Sequence, residues 1–109
     1  MAKTMQIKYA GKEYTLEFTR ATVRKMFRDG FDIENVTKDP FVVFDLFKYA
    51  FLAHAPNVSE DEIADIYAKV KNKQSLLEKL AYMYRDPIET LLDEPEDGGE
   101  GNVEWGVNF

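Results

Sequence analysis

The segment Pro40–Ala55, PFVVFDLFKYAFLAHA, sets the terms on which this chain can fold. Twelve of its sixteen residues are apolar, and only Asp45, Lys48 and His54 interrupt the run of side chains. The pattern predicts one helix over residues 40–55. Asp39 can cap its first turn, and Pro40 suits the first helical position because the N–H it lacks would have no intrahelical partner there. Pro56 follows at the far end. On a wheel of 3.6 residues per turn, Asp45 and Lys48 form a narrow polar stripe, Phe41, Tyr49 and Leu52 flank it, and Val43, Phe47, Ala50 and His54 lie opposite. A helix apolar around most of its circumference must be enclosed by protein or lipid. This one is shorter than the roughly 18 residues of a membrane span, so the expected surroundings are protein. A chain of 109 residues builds only a modest core, and a homo-oligomer is the first expectation.

The elements that must cover this segment are legible on either side of it. Met5, Ile7 and Tyr9 alternate, as do Tyr14, Leu16 and Phe18, with AGKE between them and Gly11 able to take positive φ. That is a β-hairpin over residues 5–18. A lone hairpin is marginal in water and needs helices against its apolar face. Thr19 caps a helix over 20–29 that buries Val23, Met26 and Phe27, and Gly30 followed by Phe31 fits a Schellman ending. Its Arg20, Arg24, Lys25 and Arg28 read as a solvated face. Phe31, Ile33 and Val36 anchor the linker to the central helix.

Beyond Pro56, Ser59 and Glu62 have capping-box spacing, Val58 and Ile63 can staple the turn, and Glu60, Asp61 and Glu62 sit at the positive end of a helix over 60–71. A helix over 74–85 follows, carrying Leu76, Leu77, Leu80, Ala81, Met83 and Tyr84. Asp86-Pro87 is expected to break it and to start a short helix over 87–93, where Ile88, Leu91 and Leu92 close the body. The fold class is therefore α+β, mostly α: a hairpin on a bundle of four to five helices in one domain, residues 1–93.

Residues 94–109, EPEDGGEGNVEWGVNF, differ in character. An acidic, Gly-rich spacer cannot bury enough apolar surface to order itself. After it, Val103, Trp105, Val107 and Phe109 recur at every second position, the period of a strand. Such a segment is suited to adding a strand to an exposed sheet edge, its own hairpin's or a partner's. Net charge is −6, of which Glu94, Glu96, Asp97, Glu100 and Glu104 supply five, with no basic residue after 93. The nearly neutral body offers no footprint for nucleic acid. No stretch resembles a secretion signal, and the chain has no cysteine, so a reducing, cytoplasmic setting is expected.

No catalytic, cofactor-binding or metal-binding residues are expected. His54 is the only histidine and has no nucleophile motif beside it. Asp61 with Asp65, or Glu96 with Asp97, read as helix-terminal charge and solvated tail. The DEPEDGGEGNVEW run lacks the order of a calcium loop, and Gly98-Gly99 does not open a helix as a phosphate loop does.

Taken together, KYAGKEYTLEFTRATVRKMFRDGFDIENV, the apolar helix ending FLAHAPNVSEDEIADIY, SLLEKLAYMYRDPIETLLDE and the closing GNVEW resemble the small tail assembly chaperones of long-tailed, siphovirus-like bacteriophages and prophages. The resemblance runs from about Met5 to Asp93. It implies a non-enzymatic protein of the host cytoplasm that binds the tape-measure protein, helps recruit tail tube subunits and is absent from the mature virion. It also implies a longer, frameshifted form that diverges near the acidic tail. Phe41, Phe44, Tyr49 and Leu52 on the central helix, with Val103, Trp105, Val107 and Phe109 at the C-terminus, are the expected protein-interaction residues. Other readings are a small acidic protein inhibiting a host nucleic-acid-binding protein, a structural tail component, and a small enzyme built around His54.

Overall fold

The computed structural model describes residues 3–93 and 103–108. Strands β1 (Thr4–Tyr9) and β2 (Lys12–Glu17) pair antiparallel, with Met5 opposite Leu16, Ile7 opposite Tyr14 and Tyr9 opposite Lys12. The pairing places Met5, Ile7, Tyr14 and Leu16 on one face. Leu16 and Tyr14 are buried, and Met5, Ile7 and Tyr9 pack beside them against the helices. The loop is the two residues Ala10-Gly11, both at positive φ (53° and 79°), as the twist of a two-residue hairpin demands.

Four helices follow: α1 (Arg20–Arg28), α2 (Pro40–Tyr49), α3 (Glu60–Ala68) and α4 (Lys73–Glu89), with 3₁₀ turns at Ile33–Thr37 and Thr90–Leu92. The fold is α+β, mostly α. Each helix begins on the side chain that the sequence offers. Thr19 Oγ1 accepts from the Thr22 amide, Asp39 from Phe41, Ser59 from Glu62 and Asn72 from Ser75. Helix α1 ends in a Schellman motif: Gly30 lies at φ 86°, and the Phe31 amide donates to the Met26 carbonyl at 2.9 Å.

The core gathers around the end of α2. Leu46, Phe47, Ala50 and Phe51 are buried together with Leu16, Met26, Leu80 and Tyr84. Edge-on aromatic pairs join the elements: Tyr14 with Phe51, Phe18 with Tyr84, Phe31 with Tyr84, and Phe44 with Tyr67, at centroid distances of 5.5–5.6 Å. One copy thus encloses Leu46, Phe47, Ala50 and Phe51 by itself, and Phe41, in the first turn of α2, is the large side chain it leaves out, 78% exposed. The expected difficulty of covering the central segment narrows to its N-terminal end.

Three expectations are corrected. The central helix stops at Tyr49, not at residue 55, and tight turns carry the chain on. The Ala50 carbonyl, which in a continuing helix would accept from His54, accepts instead from the Glu17 amide of β2 at 3.0 Å. Helix α3 ends at Ala68, not 71, because the Lys69 and Val70 amides tighten onto the Ile66 and Tyr67 carbonyls and Asn72 turns left-handed to cap the next helix. Finally, Asp86-Pro87 does not divide α4 from a second helix over 87–93. Asp86 pairs through its carboxylate with Lys3, and its backbone carbonyl accepts from Thr90 Oγ1 at 2.9 Å. Pro87 lies in the last turn, buried; its ring removes one rung of the helix without ending it.

The third-strand expectation is also unmet within one copy. Among the described residues the sheet has two strands, and Val103–Asn108 form no strand and stay exposed. The spacer from Glu94 to Asn102, and Phe109, lie outside the described residues.

Two stability effects follow from this geometry. Ala10 holds a left-handed conformation that costs an L-residue about 1–2 kcal/mol and that Asn tolerates. Ala10→Asn is expected to stabilise the fold by about 1 kcal/mol in urea unfolding, and an unchanged or lower midpoint would contradict the turn geometry. The Tyr84 hydroxyl is buried without a hydrogen-bond partner among the described residues. Tyr84→Phe removes that unsatisfied group and is expected to raise stability by about 1 kcal/mol; a marked loss would mean that the hydroxyl is bonded.

Candidate interaction surfaces

The side chains that the sequence proposes on the central segment do not form one surface. Phe41 points outward alone. Phe44 is half-buried with its ring against Tyr67, 5.5 Å between centroids. Tyr49 and Leu52 do come together, lining a hollow of about 370 Å³ with Phe51, Ala55, Val58 and Ile63. Its rim is charged: Lys25 and Asp29 from α1, Lys48 from α2 and Glu60 from α3. Lys48 Nζ lies 3.7 Å from Asp45, the pairing expected within α2, and 3.1 Å from Glu60 across to α3.

Tyr49 is held in place by this rim. Its hydroxyl donates to Asp29 Oδ2 at 2.7 Å, and the same oxygen accepts from Lys25 Nζ at 3.1 Å. Burial, reinforced by the bond to Asp29, pushes the Tyr49 hydroxyl up to about 12. The bond from Tyr49, then that from Lys25, holds the Asp29 carboxyl below its ordinary range. Tyr49 and Phe44 are thus half-buried against the body, and Phe41 is the most exposed of the four expected on the central segment.

A second surface, which sequence reasoning assigned to the core, lies between α1 and the end of α4. Val23, Phe27, Pro87, Ile88 and Leu91 line a cleft of about 450 Å³, with Arg20 and Arg24 at its edge. The periodicity of α1 placed Phe27 inside and the 87–93 segment was to close the body. Instead Phe27 is 57% exposed, Leu91 63% and Leu92 88%. The continuous α4 carries Leu91 and Leu92 past the core rather than back onto it. One guanidinium is positioned by the backbone: Arg20 Nη2 donates to the Thr90 carbonyl at 3.0 Å. Among the described residues, Lys25 pairs with Asp29, while Arg20, Arg24 and Arg28 enter no ion pair. A sequence signal did exist, in three arginines on a helix that contains no acidic residue to pair with them.

At the C-terminus Val103, Trp105 and Val107 are all exposed, Trp105 by 84%; Phe109, the last expected interaction residue, lies outside the described residues. His54 is placed differently from its expected apolar face: it is exposed, with Nε2 2.6 Å from Glu17 Oε1, because the helix ends before reaching it. Among the described residues no group of three or more acidic or imidazole side chains is disposed to hold a metal ion. No described helix is long and apolar enough to cross a membrane.

The Tyr49 contact gives a pH test. Its folded-state value lies above the tyrosine norm near 10, so its contribution to stability is complete below about pH 10 and is lost as pH rises through about 12. Burial raises Tyr67 and Tyr84 as well. Tyr49→Phe is therefore expected to lessen, not abolish, the fall in urea midpoint on the alkaline side; superimposable pH profiles of the two proteins would show that Tyr49 ionises alike folded and unfolded.

No curated protein and no solved structure matches the chain. The family model described as a domain of unknown function, DUF5055, matches residues 1–109, the whole of it, and the chain belongs to that family.

Proposed function

We propose that the protein is a tail assembly chaperone of a long-tailed bacteriophage or prophage. In this reading it works in the host cytoplasm, binds the tape-measure protein, helps recruit tail tube subunits around it and leaves before the virion is complete. The observation that carries the reading is the placement of large apolar side chains outside a core that is already closed. Phe41 stands on the first turn of α2, Phe27 and Leu91 line the α1–α4 cleft, and Leu92 after them is exposed. Contiguous apolar surface on a small body marks a site for another chain, and a holder of long helical clients needs that surface on rigid elements. The sequence resemblance supplies the identity of the client.

Phe41 is the proposed client contact, because Asp39 and Pro40 fix the turn that presents it and nothing in the core depends on it. Co-expression of the chain with a long helical tape-measure protein of a long-tailed bacteriophage is expected to raise that client's soluble yield and to recover both in one complex. Phe41→Glu is expected to weaken recovery several-fold while the circular dichroism and unfolding midpoint of the chaperone stay unchanged. A client whose solubility and elution ignore the protein would overturn the reading. Detection of the chain in purified virions at stoichiometric amounts would replace it by that of a structural tail component.

A further inference from the structure

We propose that the α1–α4 cleft is the receptor for the C-terminal segment Val103–Asn108 of a second copy, with Trp105 as the anchor. The inference stands apart from the chaperone reading and needs no client.

The match is one of shape and of charge. The cleft wall is apolar, formed by Val23, Phe27, Pro87, Ile88 and Leu91, and about 450 Å³ in volume. That is within the roughly 300–1,000 Å³ of sites that enclose organic ligands, with room for an indole and one neighbouring valine. The segment offers those groups: Val103, Trp105 and Val107 at alternate positions, all exposed in the isolated chain. An extended segment presents every second side chain to one surface, so Trp105 can enter the cleft with a valine on either side while Glu104 faces the rim. There Arg20 and Arg24 lie outside every ion pair among the described residues. The bond from Arg20 to the Thr90 carbonyl holds one of them at the cleft edge. The segment brings the opposite charge in Glu104, with four more acidic residues before it in 94–100 and no basic one after residue 93.

A second copy, rather than the chain's own body, is the occupant. Within one chain Trp105 remains 84% exposed while Phe27 and Leu91 of the cleft are also more than half exposed. A segment of one copy in the cleft of the next leaves that next copy's own segment free. The contact is heterologous and propagates head to tail, closing into a ring or extending as a filament.

Trp105 is the only tryptophan, which makes a direct test possible. Full-length protein is examined by size-exclusion with light scattering and by tryptophan fluorescence across a concentration series. Expected are concentration-dependent association and a blue shift of Trp105 emission that tracks it, both weakened by salt. Trp105→Ala is expected to weaken association by roughly thirtyfold or more, as loss of a buried aromatic anchor does. Arg20→Glu with Arg24→Glu is expected to weaken it by about tenfold or more; Leu91→Asp, at an exposed position, serves as the independent cleft variant.

The decisive arm mixes the two kinds. The cleft variant keeps its tryptophan and the Trp105→Ala protein keeps its cleft, so the mixture is expected to form dimers and no larger species, with the blue shift restored. A shift independent of concentration would place the segment in its own cleft and overturn the proposal. So would association untouched by the cleft substitutions, or strictly monomeric wild type. Any of these results leaves client binding through Phe41 to be judged by its own experiment.

Discussion

The constraint on which the rest depends is the burial of Leu46, Phe47, Ala50 and Phe51 where the central helix ends. This short stretch carries the least exposed cluster in the chain. The hairpin contributes Leu16 and Tyr14 to it, α3 contributes Ile63 and Ile66, and α4 contributes Leu80, Met83 and Tyr84. Each covering element is too short or too weakly amphipathic to stand alone in water. They hold their shapes because they share this centre. The Glu17 amide to Ala50 carbonyl bond then fixes the hairpin to the helix end at a single register.

That bond also explains where sequence reasoning succeeded and where it stopped. Local signals were legible because their physics is local: a Ser, Thr, Asp or Asn side chain reaches an amide two or three residues away, and Gly30 closes α1 without help from elsewhere. The hairpin's buried face follows from its alternation. The end of α2 was not legible, since the apolar pattern runs on to Ala55 and the competitor for the Ala50 carbonyl is a strand more than thirty residues earlier.

The same reasoning accounts for the surfaces. Helical spacing identified Val23, Met26 and Phe27 as one apolar set, but spacing alone cannot say how wide the covering partner is. Val23 and Met26 are covered and Phe27 is left out. Asp86-Pro87 carried a strong local signal for a break, and the long-range tie to Lys3, with the local bond from Thr90, outweighed it. Extending α4 moved Leu91 and Leu92 from an expected core to the outside, and with them created the cleft. Of the eight expected interaction residues, Phe44 and Tyr49 are half-buried, and Phe109 lies outside the described residues. Phe41, Val103, Trp105 and Val107 stand outside, and Leu52 sits in the charged-rimmed hollow.

Pro87 has one more effect. Because it has no amide proton, the Met83 carbonyl loses the donor that the next turn would have supplied, and a helix lacking such a rung bends there more readily than elsewhere. Ile88 and Leu91 hang from the far side of that weak joint, whereas Val23 and Phe27 belong to an uninterrupted helix. The two banks of the channel thus differ in backbone support, one carried past a missing rung and the other on a complete ladder.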